Sequence, residues 1–248
     1  MSTKANISSR QQRLSAPTAK LTARRRLAPE ERAEMILENA IQFFAEHGFD
    51  GQLKDLAEII GVSQALIFSY FGSKQILIER VYERVYIARW KSSWHDILVD
   101  RTKPLDQRLI EYYKDYLAAI DDPIWIRIVL YSGLGGNDLT RRYVSGRVEK
   151  LLRTIVSEAY VAFRFSKSQY PENDLYEAVW NLQSSFMWGL VRKHVWKVPV
   201  MPDTDHLIEL RVSNFLAALQ GHDLSPVTAG SPARRVSAKS TKLDKRSS

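Results

Sequence analysis

Apolar residues recur along this chain at the spacing of helices. Ile36, Ala40, Phe43, Phe44 and His47 follow at i, i+4, i+7, i+8 and i+11. Pro29 stands at a first-turn position before Glu30, Glu31 and Glu34, which suit the positive end of a helix dipole, and Gly48 ends the run. A short second helix spans Leu53 to Ile60 and is closed by Gly61. Ser63 caps a third, running to about Phe71, and Ser73 caps a long fourth, running to about Val99. Leu105, Leu109, Tyr112, Tyr113, Tyr116, Leu117 and Ile120 form the next apolar stripe. Asp121-Asp122-Pro123 and Gly133-Leu134-Gly135-Gly136 bracket a helix at Ile124–Tyr131. Three more follow, at Asn137 to about Phe165, Pro171 to about Trp196, and Asp205–Gln220. No segment shows sustained strand alternation with turn dipeptides. The pattern predicts an all-α protein of about nine helices.

Two helices have patterns that need explanation. Ile78, Tyr82, Tyr86, Trp90, Trp94 and Leu98 recur every fourth residue along the fourth. In one continuous helix each step of four drifts by about 40°, so this ridge would wind through about 200° and could not face one pocket. The helix from Pro171 carries one stripe of Leu175, Val179, Leu182, Phe186 and Leu190 and a second of Trp180, Met187, Trp188 and Val191. A helix apolar on two faces must bury both.

Charge divides the chain further. Of the net +8 over 248 residues, residues 1–28 contribute seven Lys/Arg and no acid, and residues 222–248 six Lys/Arg against two acids, which leaves the body at −3. Both ends are rich in Ser, Thr, Ala and Pro and are expected to be disordered. The expected layout is a basic arm at 1–28, a first domain at 29–75, a second at 76–221 and a basic tail at 222–248. The arm has three readings: a transit peptide, a phosphate-pairing arm, or a solubilising tail. The chain has no cysteine, which excludes disulfides, thiolate metal sites and cysteine nucleophiles and agrees with a cytoplasmic protein. Its longest charge-free apolar stretch, 178–191, is interrupted by polar residues and shorter than the ~20 residues of a membrane span, so no membrane partner is expected.

The short second and third helices fit a helix-turn-helix. Ala57 lets the helices pack closely, Gly61 makes the turn, and Leu56, Ile60, Val62 and Ile67 fall at the buried positions. With Phe43-Phe44-Ala45-Glu46-His47-Gly48-Phe49, Asp55-Leu56-Ala57-Glu58 and Phe68-Ser69-Tyr70-Phe71-Gly72-Ser73-Lys74, residues 29 to 80 resemble the TetR/AcrR family of bacterial transcriptional regulators. The resemblance implies a homodimer, joined through the last two helices, that binds double-stranded operator DNA as a ligand-released repressor without a cofactor. The third helices would enter successive major grooves. Carried over, the DNA-contacting positions are Lys54, Ser63, Gln64, Ala65, Leu66, Phe68, Ser69, Tyr70 and Lys74. Tyr70 is equally suited to the core. Gln64 has the best chemistry for base readout, since a primary amide can bond adenine N6 and N7 together.

The sequence departs from the family at Leu66 and Phe68 and in the short loop Asp50-Gly51-Gln52-Leu53. Residues 29–74 also set three Lys/Arg against eight acids. A DNA reader draws most of its affinity from phosphate neutralisation, so Arg24, Arg25 and Arg26 become the expected suppliers. For an effector, Trp90, Trp94, Tyr112, Tyr113, Trp125 and Tyr131 are either ordinary core or the lining of a cavity for an apolar or aromatic small molecule. The alternatives are a regulator fold that no longer binds DNA and an all-α enzyme of the terpene or prenyl synthase kind. Such an enzyme needs an Asp-rich magnesium motif. Asp121-Asp122 and Asn137-Asp138 start such motifs, but no further ligands complete them, and the five histidines show no metal spacing.

Overall fold

The computed structural model describes residues 28–135 and 138–221. Arg24, Arg25, Arg26, the rest of the basic arm, and the C-terminal tail lie outside these residues. Among the described residues every regular element is helical. The helices are α1 (Pro29–His47), α2 (Leu53–Ile60), α3 (Gln64–Phe71), α4 (Lys74–Val85), α5 (Ser93–Val99), α6 (Leu105–Ile120), α7 (Pro123–Leu134), α8 (Asp138–Tyr143), α9 (Glu149–Phe163), α10 (Glu172–Leu190) and α11 (Thr204–Gln220). A π-helical turn, Val144–Val148, joins α8 to α9 as one rod, and another, Val191–Val195, extends α10. None of the described helices is long and apolar enough to cross a membrane.

The expected order holds, with two changes of detail. α7 continues through Gly133 to Leu134 rather than stopping at Tyr131. The fourth helix is not one continuous rod. It breaks after Val85, passes through a 3-10 turn at Ile87–Arg89 and an extended Trp90, and resumes as α5. The break resolves the winding ridge, because α5 takes a new direction and Tyr86, Trp94 and Leu98 all become buried. Arg89 fixes the break by an ion pair to Asp122, whose other oxygen caps α7 by accepting from the Ile124 amide at 2.7 Å.

α1 to α3 form the head. Leu56, Ala57 and Ile67 are buried, and Ile60 and Val62 pack beside them, as the spacing predicts. In the body α5 and α9 pack on α6, α10 packs on α9 and α11, and α7 bridges to α1. The second apolar face of α10 is divided. Trp180, Met187 and Val191 pack into the molecule, whereas Trp188 is exposed and lies against the exposed Trp196, ring centroids 5.5 Å apart.

Candidate DNA-reading face and effector cavity

Gly61 ends α2 with φ 68° and ψ 40°, a left-handed conformation that turns the chain sharply into α3. Ser63 then caps α3, its Oγ accepting from the Leu66 amide at 3.2 Å, so Ser63 has a structural task whatever else it contacts. With Ile67 buried beneath it, the outer face of α3 presents Gln64, Ala65, Phe68 and Ser69 to solvent, while Leu66 and Tyr70 are half-buried. Tyr70 packs against the core. Ser69 donates to the Leu66 carbonyl at 2.7 Å. Lys54 on α2 is exposed and Lys74 opens α4 beside the same face. No charged residue lies within α3, so its readout surface consists of one amide, one hydroxyl and apolar groups.

The acidic balance of the head is partly met from outside it. Arg84 of α4 donates to Glu34 at 2.5 and 3.0 Å and to Glu38 at 2.6 Å. Its hydrogen bond holds the Glu34 carboxyl below the ordinary range. The bridge is half-exposed and fastens α1 to α4. It adds no free positive charge for DNA.

The body holds a partly open, apolar cavity of about 140 Å³. Its walls come from the C-cap of α4 (Tyr86), α6 (Tyr116), α7 (Trp125, Val129), the α8–π–α9 rod (Thr140, Tyr143, Val144, Val148) and α10 (Trp180, Gln183, Met187). Trp125 Nε1 and Gln183 Oε1 are buried without a hydrogen-bond partner. The Tyr86 hydroxyl has the Thr140 hydroxyl nearby but makes no well-formed hydrogen bond. Burial raises its pKa far above neutrality, so it stays a neutral O–H. Gln183 Nε2 is used, donating to Tyr116 OH at 2.9 Å. Unpaired buried polar atoms are costly, and three of them belong to residues that line this cavity, although the cavity surface itself is wholly apolar. A void near 150 Å³ is about the size that holds a benzene ring.

Of the six aromatics named as cavity candidates, only Trp125 lines it. Trp94, Tyr112 and Tyr113 are buried behind the wall: Trp94 donates to Asp115 at 2.7 Å and Tyr113 stacks on Phe186 at 4.3 Å. Trp90 lies outside, edge-on to Tyr143 at 6.0 Å. Tyr131 is not at the cavity at all. Its hydroxyl donates to the Glu46 carbonyl at 3.3 Å, and its ring lies 3.0 Å from where a side chain on Gly48 would begin, so Gly48 is needed there for close approach. Arg127 reaches the Ala45 carbonyl at 3.4 Å. α7 therefore lines the cavity with Trp125 and Val129 and grips the end of α1 with Arg127 and Tyr131.

Periodicity on single helices could not reveal a cavity assembled from five of them. Gln183 was the readable signal, a polar residue beside the buried stripe of α10. The aspartates at 121 and 122 are occupied by ion pairs with Lys193, His194 and Arg89. Among the described residues no group of three or more His, Asp or Glu could hold a metal.

Residues 36–81 match the model of the bacterial regulatory proteins of the tetR family. The chain is 38% identical over 63 residues to the HTH-type transcriptional regulator LuxR of Vibrio harveyi, a match spanning 25% of this chain and 31% of that relative. The fold is similar to that of a TetR-like transcriptional regulator from a Rhodococcus species, with TM-score 0.58, 15% identity, and coverage of 77% of this chain and 99% of that one. It is also similar to the TetR family transcriptional regulator PfmR from Thermus thermophilus, with TM-score 0.52, 21% identity, and coverage of 76% and 98%. The head thus matches the model of the tetR family of bacterial regulatory proteins, and the chain shares the fold of these two solved structures.

Proposed function

We propose that the chain is a cytoplasmic, ligand-responsive repressor that binds a palindromic operator as a homodimer and leaves it when a small molecule enters the cavity. The observation that carries the DNA-binding part is the head itself: a capped, solvent-facing α3 set at a left-handed glycine turn, within a segment that matches a family of regulators. Dimerisation through α10 and α11 is supported by exposed Trp188, Trp196 and Leu210, large apolar groups of the kind that mark interfaces. Selection of bound sequences from random DNA tests the reading. A two-fold site with half-sites about 34–36 Å apart, or a multiple of that, is expected. Failure to enrich any sequence would favour a regulator fold that no longer reads DNA.

Within that reading Gln64 is the base-reading residue. Gln64→Ala should cost about 1–3 kcal/mol at one base pair per half-site and relax the selected sequence there. A uniform loss over all sequences would make Gln64 a phosphate contact instead. The basic arm supplies the phosphate attraction that the head lacks. Deleting residues 1–27 should weaken binding to all sequences alike and flatten the slope of log affinity against log salt. An unchanged slope rejects the arm.

Because the fourth helix is broken, a rigid rod from body to head is not the coupling element. α7 takes that role in this proposal, since one face of it lines the cavity and the other holds the Ala45 and Glu46 carbonyls. An effector that fits one α7 position better shifts the head with it. The coupling is reciprocal, typically about 1–3 kcal/mol, so operator DNA should weaken effector affinity by the factor by which effector weakens DNA affinity. Tyr131→Phe removes the hydroxyl grip on Glu46 and should reduce that factor.

A further inference from the structure

Outside the cavity, on the far side of the same wall, lies an open groove between α5 and α9. The π-helical turn Val144–Val148 is the partition. Val144 and Val148 face the cavity, and Gly146 and Arg147 face the groove. π turns of this kind occur often at functional sites. Trp90 borders the groove, touching Tyr143 of the cavity wall edge-on, with the Arg147 guanidinium 5.3 Å from its ring centroid. Lys150 and His95 lie on the groove, with the Thr154 hydroxyl 3.5 Å from His95 Nδ1. No carboxylate among the described residues bonds Arg147 or Lys150, although the neighbouring cations Lys91 and Arg153 are each paired, with Asp115 and Glu149. Two unneutralised cations beside an indole platform form a place for an anion, and they lie one aromatic layer from the apolar cavity.

We propose that the effector is an amphipathic carboxylate. Its ring or chain end occupies the cavity, and its anionic end emerges past Trp90 and Tyr143 to rest on Arg147 and Lys150. This rests on the effector reading of the cavity and adds the charge and the division of the ligand between two compartments. Inside, the wholly apolar surface of the cavity suits a ring or chain end. Outside, the carboxylate meets charge-assisted donors.

The test uses the full chain and a series of ω-phenylalkanoates of increasing length, each compared with the alcohol of the same length by calorimetric titration. At the best length the acid should bind at least about tenfold more tightly than its alcohol, since charge-assisted hydrogen bonds are roughly twice as strong as neutral ones. Arg147→Gln combined with Lys150→Gln should bring the two affinities together. Val148→Phe, or Val129→Phe from the opposite wall, should weaken acid and alcohol alike by filling the cavity. Equal affinity of acid and alcohol in the unaltered protein overturns the anionic end and leaves the cavity reading intact. Acid binding that depends on Arg147 but ignores both cavity-filling variants makes the groove a separate anion site and overturns the two-compartment ligand. Absence of binding by every acid and alcohol overturns the effector reading of the cavity together with this one.

Discussion

Glu158→Ala is expected to destabilise the protein by about 3–5 kcal/mol, measured as a shift of the urea midpoint at unchanged slope. Glu158 and Arg108 are each 4% exposed. Arg108 Nη1 donates to Glu158 Oε2 at 2.7 Å and to the Leu98 carbonyl at 2.5 Å, while its Nε has no partner. Arg101, at the surface, closes the cluster with bonds of 2.9 and 3.0 Å to the same carboxylate. Removing Glu158 leaves a buried guanidinium with one carbonyl, and an uncompensated buried charge is the costly case. Replacing both partners, Arg108→Met with Glu158→Leu, should lie near the original stability, because the desolvation cost leaves with the attraction. The acid side follows in sign. The hydrogen bond from Arg101, then that from Arg108, hold the Glu158 carboxyl below its ordinary 4.5. Its stabilisation is fully present above that value and is lost as pH falls through the lowered folded value. The double apolar variant should lose less stability over that window. A cost below about 1 kcal/mol for Glu158→Ala would mean that water reaches Arg108 and that the pair acts as a surface contact.

This cluster shows where a sequence stops being legible. Leu56, Gly61, Ser63 and Ile67 were readable because the helix-turn-helix is a short local unit in which each position obeys a spacing rule. Arg108 and Glu158 are 50 residues apart, and each looks like any solvent-facing charge of an amphipathic helix. Their meeting depends on how α6 and α9 pack, which no single-helix pattern states. The broken fourth helix was half-legible. A ridge winding through about 200° cannot be buried on one side, so the pattern posed the problem, and the structure solves it by a kink at Tyr86–Trp90 rather than by exposing one end. The effector aromatics could not be sorted from the sequence, for the opposite reason. An aromatic residue buried in a filled core and one lining a void have the same periodicity. Trp125 and Tyr113 both carry a buried polar atom without a partner, yet only Trp125 of the six lines the void, and that is a property of the folded neighbourhood.

Trp94→Ala separates those two cases by experiment. Trp94 is 0% exposed, contacts the rings of Trp90, Tyr112 and Tyr116 at 5.1–6.3 Å, and spends its N–H on Asp115. Truncation removes an indole from a filled site and should cost about 3–5 kcal/mol of stability. Trp94→Phe keeps most of the packing and loses the hydrogen bond. Asp115 retains Lys91 at 2.6 Å and is partly solvated, so that bond contributes on the order of 1 kcal/mol. Tyr116 and Trp90 lean on Trp94 and also border the cavity and the groove, so the alanine variant should bind effector poorly through a loosened wall. A stabilising osmolyte such as TMAO strengthens burial without replacing any ligand contact, and it should restore both the midpoint and the binding together. The converse result would be decisive. If Trp94→Ala left the urea midpoint unmoved while abolishing effector binding, Trp94 would touch the ligand directly, and the 140 Å³ void beside Trp125 would not be the effector site.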